Sequence, residues 1–223
     1  MGGSERPSRS ELLHEVRQVA ADVPVFVTSP LYRHWHRHWG ATPAEIAAPL
    51  PGDDFLERPA HRATRAITIG APPESVWPWL VQVGCGRAGF YSDDLLDNLG
   101  RPSARTIVPE LQHVEVGGLV PMSPSTAHTD RTAFRVHSFD VNRSLVWAKS
   151  DSTWVWQLTP TNGGTRLVTR ITAVYDWHRP LSALTGAALM EFGDFAMMRR
   201  MLRGIKDRAE ARARSATPAS PPS

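Results

Sequence analysis

His34, His36 and His38 alternate within residues 32–39, a spacing that invites a metal site. On a helix only His34 and His38 share a face, whereas on a strand all three do. No Asp, Glu or Cys stands at ligand spacing, and Arg33 and Arg37 oppose a cation, so the expectation is a polar surface segment and no metal. Cys85, the single cysteine, lies between Gly84 and Gly86. Backbone amides there could lower its pKa, but a nucleophile needs a base and no neighbouring motif supplies one. The expectation is a small inert residue in a tight loop. Arg87, Tyr91, Asp93 and Asp94 form a polar cluster with two readings. An Arg–Asp pair would lock a loop; alternatively Tyr91 and Arg87 would hydrogen-bond a ligand oxygen. A phenol or carboxyl in this loop, facing an apolar cavity, could also be tuned for proton transfer as a general acid. Trp77 and Trp79, with Trp147, Trp154 and Trp156, belong to a set of eight tryptophans, which serve as core filler or as a stacking wall for a ring system.

The elements that must position these groups are legible from apolar spacing. From His61, Ala63, Arg65, Ile67 and Ile69 alternate with Thr64, Ala66 and Thr68 as a strand. Pro72-Pro73-Glu74 opens a helix that puts Val76, Trp79, Leu80 and Val83 on one face, with Pro78 inside it and Gly84-Cys85-Gly86 at its end. A short helix over 93–99 is stopped by Gly100 and Pro102. Strands are expected at 133–141, 144–150 and 153–160, and at 165–177 after the turn Asn162-Gly163-Gly164, with another near 114–121. The gaps are too short for crossover helices, so these strands form an antiparallel meander. A long helix over 181–213 carries Leu184, Ala188, Phe192, Phe195, Met198, Leu202 and Ile205 at three- and four-residue steps. Upstream, Ser10 would cap a short helix, and Thr42, Pro43 and Glu45 make a capping box. The division expected is an arm with short helices over 1–60, a domain over 61–213 and a disordered tail over 214–223.

Parity follows from the hairpin. A turn at Asn162-Gly163 sets Leu158 against Leu167, Trp156 against Thr169 and Trp154 against Ile171, with Ala173 and Tyr175 on the same face. Arg166, Arg170 and Gln157 fall on the other face, expected to be solvated. A turn at Asp151-Ser152 adds Leu145, Trp147 and Lys149 to the inner face, and Phe134, Val136 and Ser138 come next. Lys149, Thr169, Ser138 and Tyr175 bring polar groups that a ligand cavity would satisfy. For Lys149 the alternative is a place at the rim, snorkelling to water.

Pro73-Glu74-Ser75-Val76-Trp77, the meander closed by Gly163-Gly164-Thr165-Arg166-Leu167 and the long C-terminal helix together resemble the SRPBCC superfamily. Residues 71–84, Gly86-Arg87-Ala88-Gly89-Phe90-Tyr91-Ser92, Trp39-Gly40-Ala41-Thr42 and Pro49-Leu50-Pro51-Gly52-Asp53-Asp54 are similar to an actinobacterial subgroup of it. Cys85 departs from the polar residue expected there. The resemblance spans roughly residues 35–208 and implies the START-like helix-grip fold, an α+β arrangement in which a curved antiparallel sheet wraps a long C-terminal helix. It implies an apolar ligand or substrate of the polyketide-cyclase or lipid-transport kind, without specifying which.

Composition sets the remaining bounds. One cysteine in 223 residues excludes an intrachain disulfide and a thiolate zinc cluster. No apolar run reaches the roughly 18 residues of a membrane-spanning helix. The start Met-Gly-Gly-Ser-Glu-Arg carries no apolar signal segment, which makes the cytoplasm the expected location. The net charge is +3, with basic residues gathered from Arg199 to Arg214. No base-stacking aromatics are interleaved with them, so no nucleic-acid partner is expected and the run reads as a solvated helix face. The function expected is binding of a small hydrophobic or aromatic molecule between sheet and helix, with no cofactor. Its expected contacts are Trp147, Lys149, Trp154, Trp156, Thr169, Tyr175, Phe192, Phe195, Arg87 and Tyr91. A cyclase or dehydratase and a protein-interaction module using the basic helix are the alternatives.

Overall fold

The computed structural model describes residues 16–17, 32–98, 100–123, 128–129, 133–175 and 194–216. The helix expected from Ser10, the positions Leu184, Ala188 and Phe192, and residues 217–223 lie outside them. Six strands, β1 (His61–Ile69), β2 (Leu119–Pro121), β3 (Ala133–Asp140), β4 (Ser144–Lys149), β5 (Ser152–Thr161) and β6 (Gly164–Ala173), form one antiparallel sheet in the order β1-β6-β5-β4-β3-β2. Among the described residues from 33 onward the α-helices are α1 (Arg33–Arg37), α2 (Pro43–Ala47), α3 (Pro73–Val81), α4 (Asp94–Asp97) and α5 (Asp194–Ala216).

Register follows the hairpin. Leu158 pairs with Leu167, Trp156 with Thr169 and Trp154 with Ile171 across the turn at Asn162-Gly163, where Gly163 takes the left-handed conformation (φ 101°). Val76, Trp79 and Leu80 from α3, Val83 just after it, Trp154, Trp156, Leu158 and Leu167 from the sheet, and Met198, Leu202 and Ile205 from α5 join in one buried cluster. The sheet therefore wraps α5 in the α+β helix-grip arrangement.

Two details of register differ from expectation. The β4–β5 turn is Ser150-Asp151, pairing Lys149 with Ser152 and Trp147 with Trp154. That is a shift of two residues, which exchanges partners and keeps the faces. In β3, Val136 pairs with Trp147 and Ser138 with the adjacent Val146, so an irregularity at His137 turns Ser138 to the outer face.

The outer face is also corrected. Residues 40–60 lie across it, and Arg170, expected in solvent, is 1% exposed. Its Nε donates to Thr64 Oγ1 at 2.8 Å, and its Nη groups donate to the carbonyls of Glu45, Ile46 and Ala48 at 3.0–3.1 Å and to the Asp53 carboxylate. Arg166 makes a bidentate pair with Glu45 (2.7 and 2.8 Å) and donates to Gly40 O. Both halves of the capping box form, Thr42 Oγ1 accepting from Glu45 N and Glu45 accepting from Thr42 N. Hydrogen bonding from Arg166 holds the Glu45 carboxyl down at about 2. An alternating strand pattern tells which residues share a face; it does not tell what covers that face.

Candidate functional site

Successive cross-strand rows build the inner face: Leu145, Trp156, Thr169 and Arg65 in one, Trp147, Trp154, Ile171 and Ala63 in the next. The three indoles touch one another. Trp154 and Trp156 stand 5.0 Å apart and tilted by 30°, while Trp147 meets Trp154 edge-on at 5.4 Å and Trp156 at 5.7 Å. Trp154 Nε1 donates to Thr169 Oγ1 at 3.0 Å, and that hydroxyl donates to Val155 O at 2.9 Å. These two polar groups therefore satisfy each other and the backbone. Trp156 Nε1 is buried without an acceptor, an omission that costs about 1–3 kcal/mol.

The wall ends in a charged group that the sequence reading did not single out. Arg65 on β1, 2% exposed, pairs with Asp194 at the start of α5 at 2.7 Å and donates from Nε to His36 O at 2.7 Å. The His36 ring, expected on a polar surface, is buried and stacks on Phe195 at 4.1 Å and 12°. Arg37 Nη2 lies 3.5 Å from His61 Nδ1. A guanidinium only donates, so Nδ1 accepts and the ring proton sits on Nε2, which is buried with no acceptor. Burial pushes His61 down to about 4, with Asp194 opposing, so the ring is neutral at pH 7. The signal for this group was parity: Arg65 and His61 share a strand face with Ala63, Ile67 and Ile69. As a helix requires, His34 and His38 share a face, with ring centroids 4.8 Å apart. Among the described residues no three metal-ligating side chains converge.

The other expected contacts are occupied within the chain. Arg87 donates to Val81 O at 3.0 Å, and Tyr91 OH donates to Trp79 O at 3.1 Å. Tyr91 has φ 58° and its ring lies beneath the Arg208 guanidinium at 4.7 Å; burial pushes its phenol pKa up. Asp94 accepts from Ser103, and Asp93 pairs with Arg200 of α5 at 3.3 Å. The Arg–Asp lock on this loop therefore comes from α5, while Arg87 holds a carbonyl. Lys149 pairs with Asp151 at the hairpin end, its ammonium 5.6 Å from the Phe134 ring centre. Tyr175 is half-buried beyond β6, and Phe192 lies outside the described residues. Cys85 is buried, and burial raises its thiol pKa. Along the basic helix Arg203, Arg212 and Arg214 are exposed, and the guanidiniums of Arg199 and Arg203 lie 5.8 and 5.7 Å from the Trp39 ring centre.

One carboxylate in this loop gives a pH prediction. Burial, with Asp94 and Asp93 adding to it, pushes Asp97 up to about 7, while Ser92 and the Asp93 amide oppose the shift. A folded-state pKa above the ordinary 3.8 means that its stabilising contribution is complete below about pH 4 and is lost as pH rises through 7. Asp97→Asn is expected to remove that loss. The difference in Tm between variant and parent, measured from pH 4 to 8.5, should grow with pH and level off above 7.

No family model matches the sequence, and no curated protein matches it either. Solved structures do. A polyketide-cyclase-like protein of Corynebacterium glutamicum is 15% identical, with 74% of this chain and 100% of that chain covered and a TM-score of 0.39. An AHSA1-like protein of Aeromonas hydrophila is 15% identical over 68% of this chain and 94% of that one, with a TM-score of 0.35. The di-domain ARO/CYC StfQ of the steffimycin biosynthetic pathway is 18% identical over 68% of this chain and 52% of that one, with a TM-score of 0.39. At these values the fold assignment rests on the strand order and register above. No helix among the described residues is long and apolar enough to cross a membrane.

Proposed function

We propose that the protein binds a small apolar or aromatic molecule bearing an acceptor oxygen, held between the inner face of the sheet and α5. The observation that carries this reading is Trp156 Nε1, a buried donor without an acceptor set among three contacting indoles. Flat apolar walls with few polar anchors are the usual composition of small-molecule sites, and a ligand oxygen at this N–H would restore the missing hydrogen bond. The resemblance of the sequence to the SRPBCC superfamily agrees with such a role.

The neutral probe prodan, a naphthalene bearing a ketone, tests it. Saturable one-to-one binding with blue-shifted emission is expected. Trp156→Phe, which keeps an aromatic ring and deletes the donor, should weaken it about tenfold, the worth of one hydrogen bond. Absence of saturable binding to the parent would overturn the reading.

A second reading, an enzyme of the cyclase or dehydratase type, is favoured by one observation: the neutral His61 Nε2–H beside the Arg65–Asp194 pair places a donor able to polarise a carbonyl inside the fold. Native mass spectrometry of a molecule retained from the host separates the two. A binding protein returns it unchanged; an enzyme converts it with time, a dehydratase with loss of one water and a cyclase to an isomer of equal mass that chromatography separates.

A further inference from the structure

A cleft of about 600 Å³ opens between α3, residues 105–107 and the C-terminal half of α5, and the interior reading makes no use of it. Trp79, 2% exposed, and the half-buried Ile107 give it an apolar floor. Arg105, Arg208 and Arg212 line it against one carboxylate, Asp207. Arg208 is fixed in place, its Nε donating to Ala104 O at 2.9 Å and its Nη1 to Gly204 O at 3.1 Å. Arg105 and Arg212 are exposed and make no ion pair among the described residues. Trp79 Nε1 is buried and has no acceptor, even though the Trp79 carbonyl is engaged by Tyr91 OH.

An apolar floor, an unmet N–H and an excess of guanidinium suit one kind of molecule. Its body must be hydrocarbon, because Trp79 and Ile107 offer dispersion and area burial. Its head must be an oxyanion, because guanidiniums donate to carboxylate, sulfonate or phosphate oxygens with charge assistance. We propose that this cleft is a second binding site, for a small anion with an aromatic or alkyl body. Trp79 is 2% exposed, so the apolar contact lies below the surface, where a discrete small molecule fits better than a flat charged surface.

The probe is 8-anilinonaphthalene-1-sulfonate, titrated at low salt into the full chain and into Arg105→Gln/Arg212→Gln. Both arginines are exposed, so the double variant should melt with the parent. Saturable one-to-one binding to the parent is expected, about tenfold weaker in the double variant, with the gap closing as salt screens the charges. Trp79→Phe, which deletes only the donor and part of the ring, should also weaken it. Equal binding by parent and double variant, or none by the parent, would overturn the proposal. So would loss of binding to phosphatidylglycerol vesicles in the double variant with the sulfonate unaffected, because the cations would then serve a membrane surface. The interior reading stands or falls separately: Trp156→Phe should change prodan binding and the arginine variant should not.

Discussion

Arg170→Ala is expected to cost about 3–5 kcal/mol, as removing one partner from a buried ion pair typically does. The side chain is 1% exposed and serves as the nail through the outer face: its guanidinium engages Thr64, Asp53 and the carbonyls of Glu45, Ile46 and Ala48. Deleting it leaves Asp53 with the Leu50 amide and Arg62 at 4.0 Å and takes the donor from three carbonyl oxygens of the arm, where water replaces it only if the arm lifts. Amide exchange in residues 40–60 should therefore accelerate more than exchange in β5 and β6. Arg166 does not substitute, because its fork is already spent on Glu45 and Gly40. Adding Asp53→Asn to Arg170→Met should recover part of the loss, since the stranded charge is then gone. Denaturant melts of the three proteins check this, and a loss under about 1 kcal/mol for Arg170→Ala would contradict it.

Trp156→Ala is expected to cost a similar 3–5 kcal/mol, a Tm fall of roughly 10 °C for a chain of this size. Trp156 is 0% exposed and packs on Trp147 and Trp154, so the alanine leaves a void beside those two rings. The orphaned indole N–H disappears with the ring, which offsets part of the penalty. Trp156→Phe separates the two effects. It keeps most of the packing and removes the unmet donor, so its stability should lie much closer to the parent than that of the alanine variant while its affinity for a ketone probe still falls. Calorimetry of both variants beside the parent reads the difference.

The sequence was most informative where local chemistry and burial agree. The Asn162-Gly163 turn fixes a two-residue loop, and a period of two then puts Trp154, Trp156 and Leu158 opposite Ile171, Thr169 and Leu167. The capping box of Thr42 and Glu45 was equally local, and it forms in full. What escaped was non-local. Nothing in the alternation of β6 says that residues 40–60 return to cover Arg170, because the contact joins segments more than a hundred residues apart. His36 looked like one of three surface histidines until the start of α5 brought Phe195 against its ring. Arg65 and His61 were visible by parity as polar residues on an apolar face. Their meaning depends on Asp194 and Arg37, which only the folded chain brings to them. The β4–β5 turn lies one residue earlier than expected, shifting the pairing by two, because Ser150, Asp151 and Ser152 all suit a turn.

The central claim is that the inner face, with Trp156 Nε1 as its anchor, holds a small apolar molecule through an acceptor oxygen. Indole N–H resonances of protein labelled with ¹⁵N-tryptophan, followed during a prodan titration and assigned with Trp156→Phe, test it most directly. The account predicts that the Trp156 resonance shifts downfield and saturates with the probe, as a donor gaining an acceptor does, while that of the half-exposed Trp35 stays in place. A Trp156 resonance that stays fixed while those of Trp35 or Trp39 move would contradict it.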